Sequence, residues 1–144
     1  MAVTRSASTV WTGDLVSGAG ETTFETSKIG TFPVTWRARA EAAEGKTSPE
    51  ELIAAAHATC YSMALSNMLK ESGHTADKLA TTAEVDFDTS DGARISEIRL
   101  TLEATVPGLE DAEFQKLAQA AKEGCPVSAA LAAVPSITLD ARLA

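Results

Sequence analysis

The sequence predicts an α+β fold, and three observations carry that expectation. One long helical segment near the middle of the chain is almost wholly apolar from Leu52 to Leu65. Stretches of period-two alternation flank it on both sides, and an amphipathic helical stripe follows late, before one last alternating run. The expected order is three strands, a long central helix, two strands, a second helix broken near Gly124–Pro126, and a final strand. A single domain over residues 1–144 fits this length, which is enough to bury one core.

Residues 4–40 read as extended structure with turns. Val10 and Trp11 lead into Thr12-Gly13-Asp14, and Ser17-Gly18-Ala19-Gly20 marks a second turn before Glu21 to Glu25. Val34 to Ala40 alternates. Val34, Trp36, Ala38 and Ala40 fall on one strand face, with Thr35, Arg37, Arg39 and Glu41 on the other. The bland reading of that second face is a solvated ion-pair ladder, and arginines there contribute little to folding.

Glu44-Gly45-Lys46 ends the alternation, and Thr47-Ser48-Pro49-Glu50-Glu51 starts a helix. Ser48 is the N-cap, Pro49 occupies N1 and Glu51 sits at N3, the capping-box spacing. The helix should run to about Glu71 and stop at Gly73. From Leu52 to Leu65 only His57, Thr59, Tyr61 and Ser62 are not aliphatic, Met or Cys, so a buried central helix is expected. Leu79 to Phe87 and Ile98 to Val106 alternate as two strands, separated by Thr89-Ser90-Asp91-Gly92. A helix from Asp111 to Lys122 buries Phe114, Leu117, Ala118 and Ala121. Gly124-Cys125-Pro126 interrupts it, a short helix restarts at Pro126, and Ile137 to Leu143 closes the chain as a strand.

Composition narrows the function classes. Twelve Lys and Arg against 20 Asp and Glu give a formal charge of -8, which disfavours nucleic acid and anionic membrane surfaces. The longest apolar run is Ala129 to Val134, too short to span a bilayer. The N-terminus shows no apolar stretch behind a basic one, so no secretory signal is expected and the location is read as cytoplasmic. Aromatics are 5% of the chain while alanines number 27, so the core must pack closely on small side chains. Two cysteines are too few for a disulfide scaffold. In a reducing compartment they are redox-active, metal-binding or simply buried.

Cys125 precedes a proline at a helix start, where unpaired N–H groups favour a thiolate; the alternative is a small apolar cap. Cys60 lies mid-helix among apolar neighbours, where a thiol is inert unless a cation reaches it. His57 and Cys60 share a helical face and, with His74 and Cys125, make a four-ligand metal set arithmetically open. No close pair with metal-ligand spacing supports it, and His57 reads better as a hydrogen-bonded core histidine. No metal is expected.

The stretch from Thr47-Ser48-Pro49-Glu50-Glu51-Leu52 through His57-Ala58-Thr59-Cys60-Tyr61-Ser62-Met63-Ala64-Leu65 resembles the signature of the OsmC/Ohr peroxidases. Gly124-Cys125-Pro126-Val127-Ser128 resembles that family's second cysteine motif, and the two cysteines stand 65 positions apart (125 − 60). Trp11-Thr12-Gly13-Asp14-Leu15 and the Gly18-x-Gly20 step resemble the OsmC branch more than the Ohr branch. The resemblance implies an intertwined homodimer that reduces organic hydroperoxides by thiol chemistry, without a bound cofactor. It implies that Cys60 is the peroxidatic cysteine, Cys125 the resolving one, and Glu50 the acidic partner. The arginine it calls for matches Arg39, with Arg37 still in play. It further implies recycling by a dithiol reductant, such as the dihydrolipoyl group of a lipoylated protein. Glu50 is ten residues before Cys60, about 15 Å along one helix, so either that helix is broken or the site is composite across two subunits. The competing function is a non-catalytic dimeric module that binds an apolar ligand and keeps both cysteines structural.

Overall fold

The computed structural model describes all residues, 1–144. Its elements are β1 (Ala7–Thr12), β2 (Ala19–Phe24), β3 (Thr31–Val34), α1 (Trp36–Ala40), α2 (Pro49–Glu71), β4 (Lys78–Asp88), β5 (Arg94–Thr105), α3 (Asp111–Gly124), α4 (Pro126–Ala130) and β6 (Ser136–Leu143). The α+β order is the expected one except for α1, which stands between the third strand and the long helix. The chain forms two compact units, residues 1–52 and residues 53–144.

In the first unit β1, β2 and β3 make an antiparallel sheet in sequence order. The β1–β2 connection is built by Asp14, whose carboxylate accepts from the backbone N–H of Val16 and Ser17 and from the Ser17 hydroxyl. Gly18 is required there because a Cβ would lie 2.2 Å from the Asp14 carbonyl oxygen. Every residue of β1 is exposed.

The strand expected over residues 34–40 is not formed. β3 ends at Val34, and Trp36–Ala40 is the short helix α1. Thr35 caps it in an extended conformation, its hydroxyl accepting from the Ala38 N–H at 3.1 Å. The alternation rested on alanines and arginines, which are good helix formers, so the local cap decides the outcome. The correction reaches the arginines. Two positions apart on a helix point about 200° from one another, so Arg37 and Arg39 share no face.

The second unit holds the core. β5 is the middle strand, antiparallel to β4 and parallel to β6. Ile98, Leu100, Leu102 and Ala104 alternate inward from β5; Leu100, Leu102 and Ala104 join Tyr61, Leu65 and Leu69 of α2 and Phe114, Ala118 and Ala121 of α3 in one buried cluster. The Tyr61 hydroxyl donates to the Ala118 carbonyl at 3.1 Å, tying α2 to α3.

α2 starts as expected, with the Glu51 N–H donating to the Ser48 hydroxyl at 3.2 Å, and Gly73 at φ +86° follows its end. It is unbroken from Pro49 to Glu71. It is not buried all round. His57, Tyr61, Leu65 and Leu69 form the buried stripe, whereas Ala55, Ala56, Thr59, Met63 and Ser66 are exposed. One chain of this size covers a single face of the helix. No helix is long and apolar enough to cross a membrane.

Candidate active site

Cys60 stands in the middle of α2, and Cys125 at the junction of α3 and α4. Pro126 disfavours helical geometry at the residue before it, and Cys125 is extended at φ −67°, ψ 122°. That break ends α3 and sets Cys125 against α2. Both cysteines are free, and they are close enough for each to shift the acidity of the other. Cys125 is fully buried; Cys60 is partly exposed. Of the two residues, only Cys60 is partly open to solvent.

The two thiols differ in acidity. Burial pushes Cys60 up; the Val127 backbone opposes this, but contact with Cys125 and its charge push the same way as burial. Burial also works against a charge at Cys125. There the Ser128 backbone N–H, Cys60, the Ser128 hydroxyl and the Val127 backbone outweigh it and hold the thiol below its ordinary value. These directions agree with a thiolate favoured at the start of α4 and disfavoured in the middle of α2.

His57 is the buried core histidine foreseen, fully enclosed, with Nε2 2.7 Å from the Ser128 hydroxyl. Its Nδ1 has no partner, and burial lowers its pKa. The sequence reading gave Ser128 no role. The available signal was its place in the first turn of α4, three residues after Cys125.

Arg39 and Glu50 form the second pair, inside the first unit. The guanidinium Nε donates to Oε1 at 3.1 Å and Oε2 at 3.2 Å, and Nη2 donates to Oε1 at 2.9 Å. Glu50 is buried beneath it. Arg37 instead pairs with Glu41 at 3.3 Å and Glu44 at 3.2 Å, on the surface. Arg39 also lines a cavity of about 380 Å³ in the same unit, walled by Trp11, Leu15, Val34, Trp36 and Leu52. The four expected residues are thus gathered as two pairs, Cys60 with Cys125 and Arg39 with Glu50.

The family model described as OsmC-like protein matches residues 42–140, a span that holds Glu50, Cys60 and Cys125. The chain belongs to the OsmC-like family. It is 46% identical over 134 residues to peroxiredoxin OsmC of Escherichia coli (strain K12), covering 92% of each protein. Among solved structures, the organic hydroperoxide resistance protein OhrB of Bacillus subtilis aligns with TM-score 0.67 at 27% identity, over 95% of this chain and 98% of that one. An OsmC-like protein from Mycoplasma pneumoniae aligns with TM-score 0.75 over 99% of both chains; at 18% identity it speaks for the fold. Both cysteines of this OsmC-like chain therefore lie in the matched region, while Arg39 precedes it.

Proposed function

We propose that this peroxide-reducing enzyme acts on organic hydroperoxides through a two-cysteine cycle. The observation that carries the reading is the contact between a partly exposed thiol, Cys60, and a fully buried one, Cys125. The relatives' names, peroxiredoxin OsmC and organic hydroperoxide resistance protein, support the substrate class.

Cys60 as thiolate attacks the distal peroxide oxygen; the O–O bond breaks, an alcohol leaves, and Cys60 becomes a sulfenic acid. Cys125 then attacks the Cys60 sulfur, expelling the hydroxyl as water and closing a disulfide. A dithiol reductant, of dihydrolipoyl type, reopens it by exchange. Because burial and Cys125 both raise the Cys60 thiol, the first step needs a cation. Arg39 is the candidate, always charged, fixed by its fork onto Glu50 and able to polarise the peroxide as charge moves to the leaving oxygen.

The functional form is a homodimer in a reducing compartment such as the cytoplasm. Two features support it: the exposed small-residue face of α2, and the exposed strand β1 with Val10, in a unit that also exposes Val16 and Ile29. α2 is unbroken, which puts Glu50 and Cys60 of one chain about 15 Å apart along the helix and favours a site completed across the dimer.

One equivalent of an alkyl hydroperoxide tests the reading. The reduced protein should lose two free thiols and two hydrogens of intact mass under non-reducing conditions. Cys60→Ser should lose neither, and Cys125→Ser should stop at a trapped sulfenic acid. Retention of both thiols would leave the apolar-ligand module as the better reading.

A further inference from the structure

A buried polar chain runs away from the cysteine pair and is unused by the cycle above. His57 lies one helical turn before Cys60 on α2, fully enclosed, with Nε2 2.7 Å from the Ser128 hydroxyl. Ser128 sits in the first turn of α4, three residues after its N-cap, the fully buried Cys125, and both its backbone N–H and its hydroxyl act to hold that thiol below its ordinary value. His57 Nδ1 is buried without a partner. A neutral imidazole carries one proton, and leaving an N–H unpaired in the core costs more than leaving a lone pair. The proton therefore belongs on Nε2, where it donates to the Ser128 oxygen. The serine's own proton is then left to point at sulfur.

We propose that His57 and Ser128 are positioning residues for the resolving step: the imidazole N–H fixes the Ser128 hydroxyl, and that hydroxyl donates to Cys125 as it becomes a thiolate. The inference rests on the two-cysteine reading. In the step concerned, the Cys125–Cys60 S–S bond forms as the Cys60 S–O bond breaks. The hydroxyl leaves with the proton lost from Cys125, so sulfenic acid and thiol give disulfide and water, with no further reactant. His57 does not collect that proton. Burial keeps it neutral, and a second N–H on Nδ1 would have no acceptor. The other titratable side chains whose charge reaches Cys125 are Cys60 and Tyr61 of α2. Tyr61 is held protonated by burial and donates to the Ala118 carbonyl.

The test separates attack from resolution. Reduced protein is mixed with cumene hydroperoxide, and aliquots are quenched into a sulfenic-acid probe and weighed intact without reductant. In Ser128→Ala the interval between sulfenic acid and disulfide should lengthen by about tenfold or more, the loss expected from one hydrogen bond to a charged group. Its pH profile should move to higher pH, and excess peroxide should carry more Cys60 to sulfinic acid. Ser128→Thr keeps a hydroxyl and should restore both interval and profile. His57→Gln, which still offers an N–H, should fall between wild type and His57→Leu. An interval and profile unchanged in Ser128→Ala overturn the proposal. Failure to trap any Cys60 sulfenic acid in Cys125→Ser overturns the underlying cycle, and this inference with it.

Discussion

Arg39 grips the buried carboxylate of Glu50 through two guanidinium nitrogens, with Nη2 2.9 Å from Oε1. The pair links α1 to the first turn of α2, where Glu50 also faces the positive end of the helix. An arginine on a solvated strand face would matter little to folding; this one covers a carboxylate whose side chain is only 8% exposed.

Arg39→Ala is therefore expected to destabilise the protein by about 2–3 kcal/mol, somewhat less than breaking a fully buried pair. Arg37→Ala, which removes exposed contacts to Glu41 and Glu44, should cost less than about 1 kcal/mol. Urea unfolding of both variants checks the ranking. Removing Glu50 as well, in Arg39→Ala/Glu50→Ala, should recover part of the loss by removing the stranded charge.

The exposed face of α2 yields a second expectation. Met63 is 68% exposed in the single chain, so Met63→Glu should change the stability of an isolated chain by no more than about 0.5 kcal/mol. If this face is the dimer seam, the same change buries a charge there. Light scattering should then report a wild-type dimer and a Met63→Glu monomer with lost peroxide reduction. A wild-type monomer with full activity contradicts the assembly.

Much of this was legible in the sequence, and the exceptions have physical causes. The start of α2 was readable because Ser48, Pro49 and Glu51 each favour the same local geometry. The break at Cys125 was readable because Pro126 restricts the residue before it. Residues 36–40 were misread because Trp-Arg-Ala-Arg-Ala satisfies a period of two as well as a helical turn, and the Thr35 cap leaves only a weak sequence signal. Likewise, composition shows that α2 is apolar all round but not which face the chain leaves exposed. The Cys60–Cys125 contact joins positions 65 apart, and the unaided spacing carried no trace of it (125 − 60). Family resemblance alone suggested that pairing.

The thiol pair should titrate in two steps that belong to the pair. The first falls below the ordinary thiol range, because hydrogen bonds at Cys125 outweigh its burial, and the second lies above it. Cys125→Ala removes the contact and the charge that raise Cys60, so Cys60 should titrate at lower pH than in the wild type. Cys60→Ala removes one hydrogen bond that lowers Cys125, so Cys125 should move up. Thiolate absorbance against pH reads both shifts. Movement of either in the other direction contradicts the contact.

His57 gives stability a pH dependence of known sign. Burial lowers its folded pKa beneath the ordinary 6.5, so below that pH the unfolded chain binds a proton the folded chain refuses. Stability is full above about pH 6.5 and falls as the pH drops through the window beneath it, by at most about 1.4 kcal/mol per unit. His57→Gln should flatten the slope of unfolding free energy between about pH 6.5 and pH 5, before the carboxylates protonate. An equal slope in the variant would mean that His57 titrates normally.

If Arg39 serves the peroxidatic thiol as proposed, the cavity beside it should set substrate preference. Its walls are largely apolar, with Trp11, Leu15, Val34, Trp36 and Leu52, and the threonines Thr9, Thr22 and Thr35 add hydroxyls beside the guanidinium, so it suits a molecule with a hydrocarbon body and a polar end. An alkyl or fatty tail seated there gains about 25 cal/mol per Å² of apolar area removed from water, which hydrogen peroxide cannot collect. If the tail stays seated as the O–O bond breaks, the gain appears in kcat/KM and not only in binding. A fully buried methylene is worth about 0.8 kcal/mol, roughly fourfold in rate, so an alkyl series should climb stepwise and then level when the cavity is full. The measurement is the second-order oxidation rate of the reduced enzyme with hydrogen peroxide, tert-butyl, cumene and linoleate hydroperoxides. Leu52→Asp, which places a charge in the wall, should lower the organic rates while leaving that of hydrogen peroxide nearly unchanged. Hydrogen peroxide reacting as fast as every organic substrate would remove the cavity from the substrate path.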